Sequence, residues 1–173
     1  RLTTNMTTIK DKIDDMNATG NTNIPIGLMW GWQVLSPNAP FADGVAYTEA
    51  NTKKIIVLLT DGDNVYGGAD NPSNSRYTTL GYAWQNRMAG ITTSSSGDDR
   101  TTAMDTRLGL LCTNIKNAGI TVYTVRIDLS GSASTALRDC ASSTDKYYDI
   151  DSSGLSTAFA NIAGSIGKLR IAQ

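Results

Sequence analysis

The segment Lys53-Lys54-Ile55-Ile56-Val57-Leu58-Leu59-Thr60 constrains this chain more than any other. It is short, β-branched and apolar without alternation, the pattern of a strand covered on both faces inside a parallel sheet. It stops abruptly at Asp61-Gly62-Asp63-Asn64. Two later segments, Ile120 to Ile127 and Lys146 to Ile150, read as further strands. Helical faces lie between and after them: Leu108, Leu111, Cys112 and Ile115, then Ala133, Ala136, Leu137 and Cys140, then Leu155, Phe159, Ile162, Ile166 and Leu169. Gly119 stands where a left-handed residue would stop the first of these helices. Strands alternating with helices imply an α/β fold with an open, doubly wound, mostly parallel sheet.

Upstream, Leu2, Met6, Ile9, Ile13 and Met16 place an apolar stripe on a helix over about 2–16. Pro25, tolerated in a first helical turn, marks a second helix starting near Ile24. Ser36-Pro37-Asn38-Ala39-Pro40 ends it and opens a loop to about Thr52. From Val65 to about Thr102 the chain has no sustained periodicity and is expected to be a long loop, functional or mobile. Three parallel strands leave unpaired edges, so the first strands of the sheet are expected upstream of Arg1.

At 173 residues the chain is expected to form a single domain, or part of one. Its charges are interspersed and sum to -1, which removes the electrostatic footprint of nucleic-acid binding. No run approaches the ~18 to 20 apolar residues of a membrane span. The start, Arg1-Leu2-Thr3-Thr4-Asn5, has neither an initiator Met nor a signal-peptide pattern and reads as a cleaved or excised end. The chain has no His, so Ser-His-Asp and Cys-His catalysis cannot be built from it and any metal must be bound by oxygen.

Asp61 follows a strand, and ligands of open α/β sheets bind beyond the carboxyl ends of strands. Taken alone, the tetrapeptide reads as a turn rather than a site. Val57-Leu58-Leu59-Thr60-Asp61-Gly62 resembles the strand and loop that supply the aspartate of the metal-ion-dependent adhesion site in von Willebrand factor A-type (VWA) domains, which have a Rossmann-like fold. Gly20-Asn21-Thr22-Asn23-Ile24 resembles the family loop that supplies the threonine, and the two motifs stand in family order. The resemblance implies a binding module rather than an enzyme, with Thr22 as hydroxyl ligand and Asp61 as carboxylate ligand of a divalent cation: Mg²⁺ first, with Mn²⁺ or Ca²⁺ possible. An open coordination position would take an acidic group of a protein partner. Thr22 or Asn23 would also serve as a helix N-cap.

The family's first motif, Asp-x-Ser-x-Ser, is missing ahead of Thr22. Its literal match, Asp128-Leu129-Ser130-Gly131-Ser132, reads as a decoy, because the helix and strand before it resemble the family's later ones. Within the family the chain is most similar to TadG-like proteins of Tad/Flp pilus systems, through Leu59 to Asn64, Leu111-Cys112, Leu137 to Ser143 and the tail Ile166 to Gln173. That likeness implies a pilus or envelope protein facing the periplasm or cell surface, anchored by a membrane helix upstream. In such a compartment Cys112 and Cys140, on helices flanking one strand, would form a disulfide; in a reducing one they would be buried thiols. Tyr66, Tyr77, Tyr82 and Trp84 in the long segment supply rigid contact area for a partner.

Two other readings stand beside this one. Asp61 and Asp63 resemble the nucleophile and acid/base of a Mg²⁺-dependent haloacid-dehalogenase-type phosphatase, although the second acidic pair that chemistry needs is missing. A metal-free structural assembly subunit is the other. An EF-hand is excluded by Val65 and Tyr66 at positions that need a ligand and a glycine.

Overall fold

The structure, a computed structural model, describes residues 2–66, 77–78, 80–82, 85, 87–88, 90–92, 94–128 and 135–171. The chain divides into two compact units: Arg1–Thr52 with Val65–Ala103, and Lys53–Asn64 with Met104–Gln173.

In the first unit, α1 spans Met6–Asp14 and is capped by Asn5, whose Oδ1 accepts from the Thr8 N–H at 3.1 Å. The cap sets the start inside the expected 2–16, because Asn5 is extended. The apolar stripe is there but unburied: Met6 is 63% and Ile13 57% exposed. Helix α2, Ile24–Leu35, carries Pro25 in its first turn and buries Ile24, Pro25 and Leu28. Past its end, Gly44 donates to the Ser36 carbonyl at 3.1 Å. A Cβ on Gly44 would fall 2.0 Å from the Leu35 carbonyl oxygen, so this close approach requires glycine.

The described residues of the long segment include regular structure that the expected loop lacks. Strands β2, Tyr77–Thr78, and β3, Gly81–Tyr82, form an antiparallel hairpin. Tyr66, Met88 and Ile91 are buried. Helix α3, Gly97–Asn117, begins well before the apolar face that marks it in sequence. Its start is a reciprocal cap: Ser96 Oγ accepts from the Asp99 N–H, and Asp99 Oδ2 from the Ser96 N–H, both at 3.0 Å.

The second unit holds the sheet. Strands β1 (Ile55–Thr60), β4 (Thr121–Ile127) and β5 (Tyr147–Ile150) lie in the order β1-β4-β5, all parallel. Thr60 is registered with Arg126, and Arg126 with Asp149. The central strand, β4, has Val122 to Arg126 buried. Its alternate residues face two helical layers. Tyr123 and Val125 pack with Ile162 of α5 (Leu155–Ile171), and the Tyr123 hydroxyl pairs with Ser165 Oγ at 2.9 Å. On the other face, Thr124 Oγ1 donates to the Leu137 carbonyl of α4 (Thr135–Cys140) at 3.0 Å. Helices on both faces make the sheet doubly wound, as expected.

The expected two-sided cover of β1 does not hold. Ile56 and Thr60 are buried, but Val57 is 36% and Leu59 47% exposed. Among the described residues β1 pairs on one edge alone. On the face where Ile55 packs against the Tyr123, Val125 and Ile162 cluster, Val57 and Leu59 are thus only partly covered, which period and composition could not show.

Helix α3 ends at the expected glycine. Gly119 has φ +79°, and the Ile120 N–H closes onto the Ile115 carbonyl at 3.3 Å. Cys112 of α3 and Cys140 of α4 are joined in a disulfide, with Cα atoms 5.1 Å apart.

Candidate functional site at the carboxyl end of the sheet

Thr60 is the last residue of β1 and is buried. Its hydroxyl accepts from the Gly62 N–H at 3.2 Å and lies 2.7 Å from the Gly62 carbonyl, to which it donates. This side chain folds the backbone into a turn and leaves Asp61 exposed at its corner. The turn is thus formed, at the carboxyl end of β1. The Asp61 carboxylate makes no hydrogen bond or ion pair among the described residues, and neither does that of the exposed Asp63.

Other carboxylates of this unit are engaged by the fold itself. Asp105 accepts from Asn64 Nδ2 at 2.7 Å, and Asn64 is buried. Arg126, 2% exposed, donates through Nη1 to both oxygens of Asp149, at 2.9 and 3.1 Å. That pairing holds the guanidinium pKa above its ordinary value against the desolvation of burial, and the charge of Asp63 adds to it. Asp128, at φ +51°, accepts from the Ser152 N–H at 3.0 Å. The aspartate of the literal Asp-x-Ser-x-Ser match is thereby used as a brace; Leu129 to Ser132 lie outside the described residues. Asp151 accepts from the Ser153 hydroxyl at 2.6 Å and the Gly154 N–H at 2.9 Å. These bonds hold its carboxyl below the usual range.

Thr22 belongs to the first unit and is half-buried. Asn23 takes the capping role, its Oδ1 accepting from the Ile26 N–H at 3.2 Å. The Thr22 hydroxyl makes no hydrogen bond among the described residues, while its carbonyl accepts from the Val65 N–H at 2.9 Å. No group of three or more His, Cys, Asp or Glu side chains suited to a metal occurs among the described residues.

The aromatic residues of the long segment differ in place. Tyr66 is 8% exposed, with the Arg100 guanidinium 5.6 Å from its ring centroid. Its ring supports the segment from within. Tyr82 is half-buried, and its N–H donates to Gln85 Oε1 at 3.0 Å. Tyr77 opens the hairpin, and Trp84 lies outside the described residues. Sequence reasoning missed the pairs Arg126–Asp149 and Asn64–Asp105. The signal for the first was available, because an arginine inside a buried strand needs a counter-charge.

No protein-family model matches the sequence, and no curated protein matches it. Two solved structures are similar. The vWF domain of the type V pili tip protein Mfa5 from Porphyromonas gingivalis aligns over 91% of this chain and 71% of its own, with 16% identity and a TM-score of 0.58. Proximal thread matrix protein 1 from the mussel byssus aligns over 87% of this chain and 28% of its own, with 21% identity and a TM-score of 0.48. At these identities the likeness shows architecture alone, and the first alignment carries it: the chain has a von Willebrand factor A-like α/β fold built on a parallel sheet.

Proposed function

We propose that this chain is a protein-binding adhesion or assembly module of a pilus or cell-envelope protein, of the kind represented by TadG-like proteins of Tad/Flp systems. In this reading Thr22 and Asp61 ligate one divalent cation, Mg²⁺ first and Mn²⁺ or Ca²⁺ as substitutes. The ion supplies an open coordination position for an acidic group of the partner. Asp61 binds it as a carboxylate and Thr22 as a hydroxyl. The observation that carries the reading is the state of Asp61: an exposed carboxylate at the carboxyl end of a strand, unengaged while Asp105, Asp128, Asp149 and Asp151 are bound by the fold.

Further support comes from the neighbourhood of Thr22. Asn23 relieves Thr22 of capping. The similar structure is itself a pilus tip protein. The Cys112–Cys140 disulfide agrees with a periplasmic or cell-surface location. No described helix is long and apolar enough to cross a membrane, so this reading puts any anchor outside these residues.

The test is capture from a cell-envelope extract on immobilised protein, in Mg²⁺ and after chelation. The expected result is a protein retained in Mg²⁺, released by EDTA and absent from an Asp61→Ala column. Retention that is equal in EDTA and on the variant overturns the metal-dependent reading in favour of the metal-free assembly subunit. A variant with residues 77–92 replaced by a Gly/Ser linker should lose the partner while keeping the ion.

A further inference from the structure

Within the first unit, at the C-terminal end of α2, lies a pocket of about 360 Å³ that the sequence did not announce. Trp32, Gln33, Ser36, Asn38, Ala39 and Tyr47 line it, and none of these carries a charge. Its volume is in the range of small-molecule sites.

The frame is set before any ligand arrives. The Trp32 indole N–H donates to the Tyr47 hydroxyl at 2.9 Å, fixing the two rings as one wall. The Asn38 N–H donates to Ser36 Oγ at 3.1 Å, and the Ala42 N–H to the Asn38 carbonyl at 3.0 Å. Gly44, where a Cβ has no room, holds the loop against the end of α2. A pre-formed frame of this kind lowers the ordering cost of binding.

Two of the polar groups in the lining are primary amides. The Asn38 amide makes no side-chain hydrogen bond among the described residues, and the Gln33 amide reaches only the Met29 sulfur, at 3.9 Å. Each primary amide offers both donors and an acceptor, which matches hydroxyl groups that also donate and accept. Large rings with a polar handle complement a ligand that has an apolar face and a wet edge. Absence of charge in the lining disfavours phosphorylated and carboxylated ligands, whose desolvation it would not offset.

We propose that this pocket binds a neutral sugar, a pyranose unit of a glycan. Trp32 and Tyr47 form the stacking wall, and Gln33 and Asn38 read the hydroxyl groups. This site would act independently of the cation at Thr22 and Asp61. A polyproline peptide also stacks on aromatic rings, but it needs an elongated groove, and two amides beside a single paired wall suit a compact polyol better.

The test is saturation-transfer NMR on the full chain with methyl glycosides of glucose, galactose, mannose and N-acetylglucosamine. Glucose 6-phosphate and a proline-rich peptide serve as comparisons. At least one neutral glycoside should show transfer with a Kd of about 1 mM, unchanged by EDTA. Asn38→Ala, an exposed position whose backbone bonds survive the change, should weaken it about tenfold. Trp32→Ala should abolish it. No transfer from any neutral glycoside, transfer unaffected by Asn38→Ala, a stronger signal from glucose 6-phosphate, or binding of the peptide alone would each overturn the assignment.

Discussion

Asn23, not Thr22, closes the first turn of α2, and this choice of cap decides what the neighbouring hydroxyl is free to do. Both residue types cap well, so sequence could not separate them. Asn23→Ala is expected to cost about 1 kcal/mol in a urea melt. Thr22→Ala should cost less than about 0.5 kcal/mol, the usual range for a side chain outside any cap or core. A larger loss for Thr22→Ala than for Asn23→Ala contradicts the assigned cap. Asp151 gives a second residue-scale test. Its folded pKa is depressed below 3.8 by the Ser153 hydroxyl and the Gly154 N–H, so its stabilisation is present above 3.8 and disappears as pH falls through the folded value. Asp151→Asn removes that titration, and the Tm of the variant should fall less than that of the parent between about pH 5 and pH 2. Equal acid losses would show that the carboxylate contributes nothing through this route.

At the scale of elements, periodicity located the strands and helices of the second unit, because each is long or apolar enough to declare itself. It failed where a side chain rather than a pattern sets the boundary. The Ser96 and Asp99 cap starts α3 at Gly97, inside what reads as a loop of Gly, Ser and Thr. The short hairpin of β2 and β3 is too brief for any period to register. The exposed faces of α1 and β1 were invisible for another reason, since amphipathic pattern states which residues seek cover and not whether cover is present. The disulfide joining α3 to α4, which the family resemblance implies for an oxidising compartment, is formed. Its sequence separation of 28 implies about 3.5 kcal/mol of stabilisation by the chain-entropy argument. Reduction under otherwise native conditions should lower the denaturant midpoint accordingly. A midpoint unmoved by reductant would mean that the helices are held together by packing alone.

For the whole molecule, the fold class was legible because alternation of buried strands with helices admits few architectures, and the doubly wound sheet with a VWA-like likeness agrees with it. The site was legible only in part. Asp61 announced itself as a candidate by following an apolar strand, and it stands exposed at a Thr60-braced turn. The pocket beside Trp32 and Tyr47 was not legible, because a hydrogen bond from a helix residue to one fifteen positions later in a loop has no sequence signature. The central claim is that Thr22 and Asp61 hold a cation together, and the most direct measurement is a Mn²⁺ titration followed by electron paramagnetic resonance of the free ion. The account predicts a single saturable site in the parent chain, weakened at least about tenfold by Asp61→Ala and by Thr22→Ala, the scale of loss that removing a metal's support brings. Saturable binding that survives both substitutions unchanged, or no saturable binding at all, would contradict it.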